Sequence, residues 1–497
     1  MKCLLILALL GSLLLFNLSC RHNRLKTNEK ELAEEIILQE SKKTQAEIAS
    51  EEKKIPAAEI KTFGGLRSRE NSSIDPQSPP FHIDIAGTEK NTRKIKLSDI
   101  ASSVRYVKLQ TPPDTSLLYD PFFYRDDLIS TIRSDGEEII FQGLFGLIRF
   151  NMQGEYLQTL WKNSTGIEIR DKTVMWRHED FYGVMPNTPV SIIDGNVYYS
   201  FIDGPSGTDQ VMKYTTRDTK SLSIQSQSEV PGPGTIHGDT LLNTRGDPMK
   251  RFDWVFGTGE GTWAGINNEW NAGSSGSLLV TYNENGDTLC QFSDFERIVN
   301  FSHTNYRVPA KLINYYYNGL LTIKQEYNDT VFRLIAPDRL LPAFIFTWGR
   351  YKVKYIDGLD PGFNLSNKFL LNSLIETKNY LFIRYTQNSD SPANRKNNSV
   401  KFYNAFFDKK EGKLYHNPGS TFLPEGIIND IDGGLPFWPD IITPHGELMK
   451  LVSGKVLKDY VNSTEFKEAD ISDENRQKQI SMVSGLRNTD MVIMIVK

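Results

Sequence analysis

One hairpin pattern recurs along this chain and constrains its fold more than any other feature. The stretch Phe150-Asn151-Met152-Gln153-Gly154-Glu155-Tyr156-Leu157 matches Tyr282-Asn283-Glu284-Asn285-Gly286-Asp287-Thr288-Leu289 position for position. The shared order is aromatic, Asn, two free positions, Gly, acid, a free position and Leu. Such an order encodes a tight turn between two strands: the Asn opens the turn, and the Gly takes a positive φ before the return strand. Phe407 to Leu414 is the same device with one residue inserted, and Tyr214 to Asp218 is a version without Gly. Weaker versions surround Phe332 and Met449.

The anchors therefore fall at 150, 214, 282, 332, 407 and near 449, about 60 residues apart on average. A four-stranded propeller blade needs ~40–45 residues. The excess is read as inserted loop, chiefly 228–276 and 386–399. Past residue 100 the chain is a series of short apolar or alternating runs split by Gly, Asn, Asp and Pro, the pattern of an all-β fold. Six anchors predict a six-bladed β-propeller, with blades packed radially about a channel. The fully apolar run Met491 to Val496 predicts a buried strand that pairs with the strand beginning near Val104. A helix is predicted from Ser472 to Ser484, ended by Gly485.

Composition and the N-terminus bear on address. The chain of 497 residues is 39% hydrophobic and 11% aromatic, with net charge −4. That balance excludes the basic stripe of a nucleic-acid binder. Met1-Lys2, the apolar run Leu4 to Leu15, and Phe16-Asn17-Leu18-Ser19-Cys20 form a signal-peptide pattern that ends like a lipobox. Residues 1–19 are thus expected to be a lipoprotein signal peptide, with Cys20 the lipidation site and the membrane the partner held through it. An ordinary secretory signal with an incidental Cys is the alternative. If Cys3 is removed and Cys20 acylated, Cys290 is left as the one remaining cysteine, so packing must stabilise the core without an internal disulfide.

Residues 20–80 are expected to be a charged tether and linker, and 81–497 the propeller closed by its C-terminal strand. The tether is rich in Glu, Lys, Gln and Ala, and Asn28 can cap a helix reaching Lys54. A disordered charged tether is equally compatible with its thin apolar stripe.

Three stretches carry a resemblance. Leu97-Ser98-Asp99-Ile100-Ala101-Ser102-Ser103-Val104-Arg105-Tyr106-Val107-Lys108-Leu109, the Phe150 hairpin and Asn328-Asp329-Thr330-Val331-Phe332-Arg333 resemble motifs of the Bacteroides-type six-bladed β-propeller lipoproteins. The resemblance covers about 83–497. It departs at Trp161 to Gly166, where the family carries a Gly-rich turn. It implies a lipid-anchored protein of the cell envelope at the outer membrane, and Arg21-His22-Asn23-Arg24, which lacks the acidic run of a surface-export tag, is read as keeping it on the periplasmic side.

Candidate chemistry is sparse. Trp254, Trp263 and Trp270 lie near Asn267, Asn268 and Glu269. Flat aromatic faces beside amides suit sugar rings, so Trp254, Trp263, Trp270 and Asn268 are the expected ligand-binding residues. Packing of these Trp against their own blade is the competing account. His178-Glu179-Asp180 is the densest titratable cluster and reads as a solvated loop, with no second His at ligand spacing. Gly257-Thr258-Gly259-Glu260-Gly261 lacks the Lys and Ser/Thr of a phosphate loop. No cofactor motif is present, and no nucleic-acid partner is expected. The expected function is a membrane-anchored binding or scaffold lipoprotein for a glycan or an envelope protein. The alternative is a hydrolase or lyase working through channel carboxylates and a metal ion.

Overall fold

In the computed structural model the recurring hairpin is held by its Asn. The Asn151 side-chain oxygen accepts the N–H groups of Gln153 (3.0 Å) and Glu155 (2.9 Å), and its amide donates to the Glu155 carboxylate (2.6 Å). Asn283 does the same with Asn285 and Asp287 at 2.9 Å each, and with the Asp287 carboxylate at 3.2 Å. The acid of the pattern is thus the partner of the Asn amide. Gly154 and Gly286 take φ of 82° and 85°, a region costly for residues with a Cβ.

The structure describes residues 80–114, 131–143, 146–162, 254–259, 262–266, 277–283, 285–293, 312–325, 327–354, 367–388, 400–418, 422 and 426–497, and the backbone alone of several further strands. The chain divides into two compact units, one of residues 1–59 and 71–74 and one of 60–70 and 75–497. Every described residue belongs to the second.

That unit begins with a hairpin of β1 (Ile60–Phe63) and β2 (Leu66–Arg69), then two lone strands, β3 (Phe81–Asp84) and β4 (Val104–Lys108). The first large sheet is β5 (Thr131–Ser134), β6 (Glu138–Gly143), β7 (Gly146–Asn151) and β8 (Tyr156–Lys162). A hairpin of β9 (Ile167–Arg170) and β10 (Thr173–Trp176) precedes the second sheet. That sheet is β11 (Val190–Ile193), β12 (Asn196–Tyr199), β13 (Tyr214–Arg217) and β14 (Ile224–Ser228). Another hairpin, β15 (Thr235–His237) with β16 (Thr240–Leu242), leads to the third sheet: β17 (Trp254–Gly259), β18 (Thr262–Ile266), β19 (Ser277–Asn283) and β20 (Thr288–Ser293).

The fourth sheet holds β21 (Leu312–Tyr317), β22 (Leu320–Gln325), β23 (Thr330–Ala336) and β24 (Arg339–Thr347), with β3 added as a fifth, parallel strand. The fifth is β25 (Phe369–Glu376), β26 (Tyr380–Gln387), β27 (Lys401–Asp408) and β28 (Lys413–His416). The last is β29 (Ile441–Ile442), β30 (Leu448–Ser453) and β31 (Met491–Val496), with β4 at its edge. Apart from β3, neighbouring strands run antiparallel, and the sheets pack face to face as the blades of a β-propeller.

The first strands of successive sheets lie against one another: β5 with β11, β11 with β17, β21 with β25, β25 with β29, and β29 with β5, while β17 meets β22. Apolar clusters fill the gaps between sheets. Val331, Phe344, Leu371 and Ile383 join the fourth sheet to the fifth, and Phe141, Phe150, Met449 and Ile493 join the last to the first. Each such fully buried side chain contributes roughly 1.5–3 kcal/mol.

The last sheet joins an early strand, β4, to the C-terminal strand β31. Every residue of β31 is buried, and it pairs with β4 through Ile493↔Val107 and Met494↔Tyr106. Before reaching β4, the chain runs along the fourth sheet, the fifth sheet and then the segment that leads into the last. Ile83 pairs with Phe346 on β24. Thr92 bridges His416 at the end of β28, where the Arg93 N–H donates to the His416 carbonyl (3.1 Å) and the His416 N–H to the Asn91 carbonyl (2.7 Å). Lys96 then bridges Ile428.

Several expectations change. Phe150, Tyr214, Tyr282, Phe332 and Phe407 all lie on the third strand of their sheets, but Met449 lies on a second strand, opposite Ile495. The third strand there is β31, and β4 supplies the fourth. Six four-stranded blades were expected, whereas among the described residues five sheets have four strands and the fourth sheet has five. The stretch 228–276, read as a loop, contains β15 to β18, and Gly257 to Gly261 spans the β17–β18 turn. The expected C-terminal helix is α3 (Asp473–Ser484), capped by Ser472, whose side chain accepts the Asn475 N–H (3.2 Å). Two helices before it, α1 (Gly454–Asn462) and α2 (Thr464–Glu468), were not foreseen.

Candidate functional site

Trp263 lies within β18, paired with Gly257 and Tyr282, and is 9% exposed. It is a strand residue rather than a loop residue, and it offers little ring face to a ligand. Trp254 sits on β17 opposite Ile266. Its side chain, with Trp270, Asn268, Cys20 and His178 to Asp180, lies outside the described residues. Trp438 is core, edge-on to Phe382 at 5.5 Å between ring centres.

Buried polar groups gather in three other places. Between the fourth and fifth sheets, Glu376 (2% exposed) accepts hydrogen bonds from Arg333 (2.5 Å), Lys409 (2.7 Å) and the Tyr315 hydroxyl (2.8 Å). Arg333 and Lys409 also lie over the Tyr317 ring at 4.6 and 4.4 Å. Burial lowers the pKa of Lys409 while Glu376 opposes the shift, and burial together with Glu376 raises that of Tyr315 well above the usual range. Both carboxylate oxygens of Glu376 are engaged by partners from the two sheets, so this cluster is a clamp between blades.

Under the helices, Asp432 accepts from the Asn429 amide (2.7 Å) and the Gly434 N–H (3.1 Å). The Tyr106 hydroxyl, its pKa raised mainly by burial and then by Asp432, meets the same Asn429 amide at 3.5 Å. This network ties β4 to the segment that leads into the last sheet.

The second place leaves an acceptor, Asp432 Oδ2, without a partner, whereas the third leaves donors unused. A bulge in β25 between Leu371 and Ser373 makes Asn372 the extra residue on the fifth sheet's first strand. Ser373 then stands opposite Arg384, and Arg384 opposite Asn404, while Thr386 lies between Leu370 and Phe402. Paired residues share a face, so these positions form one polar patch. Phe382, two residues before Arg384 on that face, packs with Phe437 and Trp438, so the patch looks toward the last sheet.

Asp440 faces the patch from just ahead of β29. It is fixed by the Leu451 N–H, which donates to its Oδ2 (2.9 Å), and by its own N–H, which donates to the Met449 carbonyl (2.8 Å). Arg384 Nη1 is 3.7 Å from Asp440 Oδ1, and the Arg384 side chain is only 15% exposed. Arg384 Nε and Thr386 Oγ1 are buried and make no hydrogen bond, and Thr386 is 1% exposed. Leaving one such group unmet costs about 1–3 kcal/mol, and more where it is charged.

Chemically the patch can orient and bind through a guanidinium edge and a hydroxyl. Among the described residues, no group of three or more His, Cys, Asp or Glu side chains comes together as a metal set. The clue in the sequence is a charge set inside an apolar strand: Arg384 and Thr386 alternate with Tyr385 directly after Tyr380-Leu381-Phe382-Ile383.

The fold and patch define a β-propeller with an inter-blade polar site. The chain belongs to the family described as "Domain of unknown function (DUF4933)", which matches residues 64–463. No curated protein matches it. Among solved structures, it is similar to a member of the DUF4221 family from Bacteroides vulgatus, at 8% identity and TM-score 0.38, covering 80% of this chain and 97% of that one. It is also similar to a protein of unknown function from Bacteroides caccae, at 12% identity and TM-score 0.26, covering 58% and 82%. A third is virginiamycin B lyase from Staphylococcus aureus, at 10% identity and TM-score 0.26, covering 64% and 89%.

Proposed function

We propose that this protein is a membrane-tethered, six-bladed β-propeller that binds a small ligand where its fifth and last sheets meet. The blade count rests on treating the fourth sheet as a blade with β3 added, and on the cycle of contacts that returns from β29 to β5. The tether rests on the signal-like N-terminus and Cys20, which would hold the ring at the outer membrane on its periplasmic side.

The binding role rests on one observation: Arg384 Nε is buried and unbonded while its neighbour Asp440 is fixed in place. A ligand that completes this group gains the free energy that the empty patch lacks.

The test is a thermal-shift panel of sugars, amino acids and organic acids on the full mature chain in detergent. A ligand at 100 times its Kd stabilises the wild type by about 2.7 kcal/mol. That shift should vanish in Arg384→Gln. A ligand that stabilises both proteins equally, or a panel with no response, rejects the site. Cys20→Ala should move the protein from the membrane fraction to the soluble fraction; retention in the membrane rejects the tether.

A further inference from the structure

We infer that the ligand group seated at Arg384 is a carboxylate, an inference that rests on the binding site just proposed. Asp440 approaches Nη1, on one side of the guanidinium. The unbonded Nε belongs to the other side, whose two parallel N–H groups match the two oxygens of a carboxylate. A neutral hydroxyl would take only one of them.

Charge sets a limit on the ligand. At 3.7 Å the Asp440 contact is an ion pair longer than a hydrogen bond, so it offsets the guanidinium charge without using the Nε donor. A monoanion therefore adds less repulsion from Asp440 than a dianion such as phosphate does. Thr386 extends the site: it lies two residues along the same strand, on the same face and roughly 7 Å away. Leu370 and Phe402 flank it, so a short chain carrying a hydroxyl fits beside the carboxylate.

The probe is lactate, set against lactamide and sodium phosphate, with sodium chloride holding ionic strength constant. Thermal shifts of the full mature chain are read across a concentration series. Lactate should bind at least tenfold more tightly than lactamide. Arg384→Gln should abolish that preference, and Arg384→Lys should keep only part of it. Thr386→Val removes an unbonded hydroxyl without changing shape, so it should melt no lower than the wild type yet bind lactate more weakly.

Equal shifts from lactate and lactamide, a lactate shift that survives Arg384→Gln, an equal shift from phosphate, or no lactate shift at all would each overturn the assignment. If lactate fails while the wider panel yields only ligands without a carboxylate that are lost in Arg384→Gln, the carboxylate class is wrong and the site stands. If both fail, the site falls too.

Discussion

Replacing Glu376 by Gln keeps the side chain's shape and removes its charge. Two cations, Arg333 and Lys409, then remain against a neutral amide in a site where Glu376 is 2% exposed. Breaking a buried ion pair on one side costs about 3–5 kcal/mol, chiefly because the partner charge is left stranded. Here two partners are stranded, although Lys409 can respond by losing its proton, since burial already lowers its pKa. A loss near the middle of that range is therefore expected. Urea unfolding followed by tryptophan fluorescence should show a lower midpoint with an unchanged slope. The triple change Glu376→Leu, Arg333→Met and Lys409→Met should recover most of the loss, because apolar groups of similar size need no compensation. A cost for Glu376→Gln below about 1 kcal/mol, or a triple variant less stable than the single one, would refute the view of this cluster as a charge-balanced clamp.

Ile493→Ala, at a fully buried position paired with both Leu451 and Val107, should cost about 2–5 kcal/mol, read as a lower urea midpoint. Ile83→Asp should free the β3 segment and speed amide hydrogen exchange at Ile345 on β24, whereas Phe346, whose N–H donates to the Asp329 carbonyl, and the first sheet keep their protection. Gly154→Ala should cost more than about 1 kcal/mol in the same urea assay, since the new Cβ would lie 2.3 Å from the Lys108 carbonyl oxygen at a positive φ. Burial raises the pKa values of Tyr106, Tyr282, Tyr315, Tyr385 and Tyr460. Their stabilisation is complete below the unfolded tyrosine value near 10 and is lost as pH rises above it, so the melting temperature should fall steeply in that alkaline range. Lys409, shifted downward, works in the opposite sense and is outnumbered.

The hairpin was readable because its determinant is local. Asn151, Gly154 and Glu155 make their turn bonds to one another, so any chain segment carrying that order forms the turn wherever it lies. The run Met491 to Val496 was readable because only a strand buried on both faces tolerates six apolar residues in a row. The parallel pairing of β3 left no such trace: Phe81-His82-Ile83-Asp84 gains its partner from a sheet more than two hundred residues away. Met449 misled because the last sheet takes its fourth strand from β4, which breaks the register of the repeat. Helices α1 and α2 carried a signal that went unused, in the caps Ser453 and Ser463, each accepting a backbone N–H three residues on. The polar patch was hidden for a different reason. Arg384 and Asp440 are far apart in sequence, and neither belongs to a motif.

The shared last sheet carries a consequence for biosynthesis. Val104 to Lys108 leaves the ribosome long before its strand partner, Met491 to Val496. Throughout that interval the early segment must travel with its backbone donors and acceptors unmatched, and it is open to wrong partners. A holding factor that captures short extended segments, or delivery to the folding compartment before folding starts, would protect this protein more than one whose terminal strands pair with near neighbours.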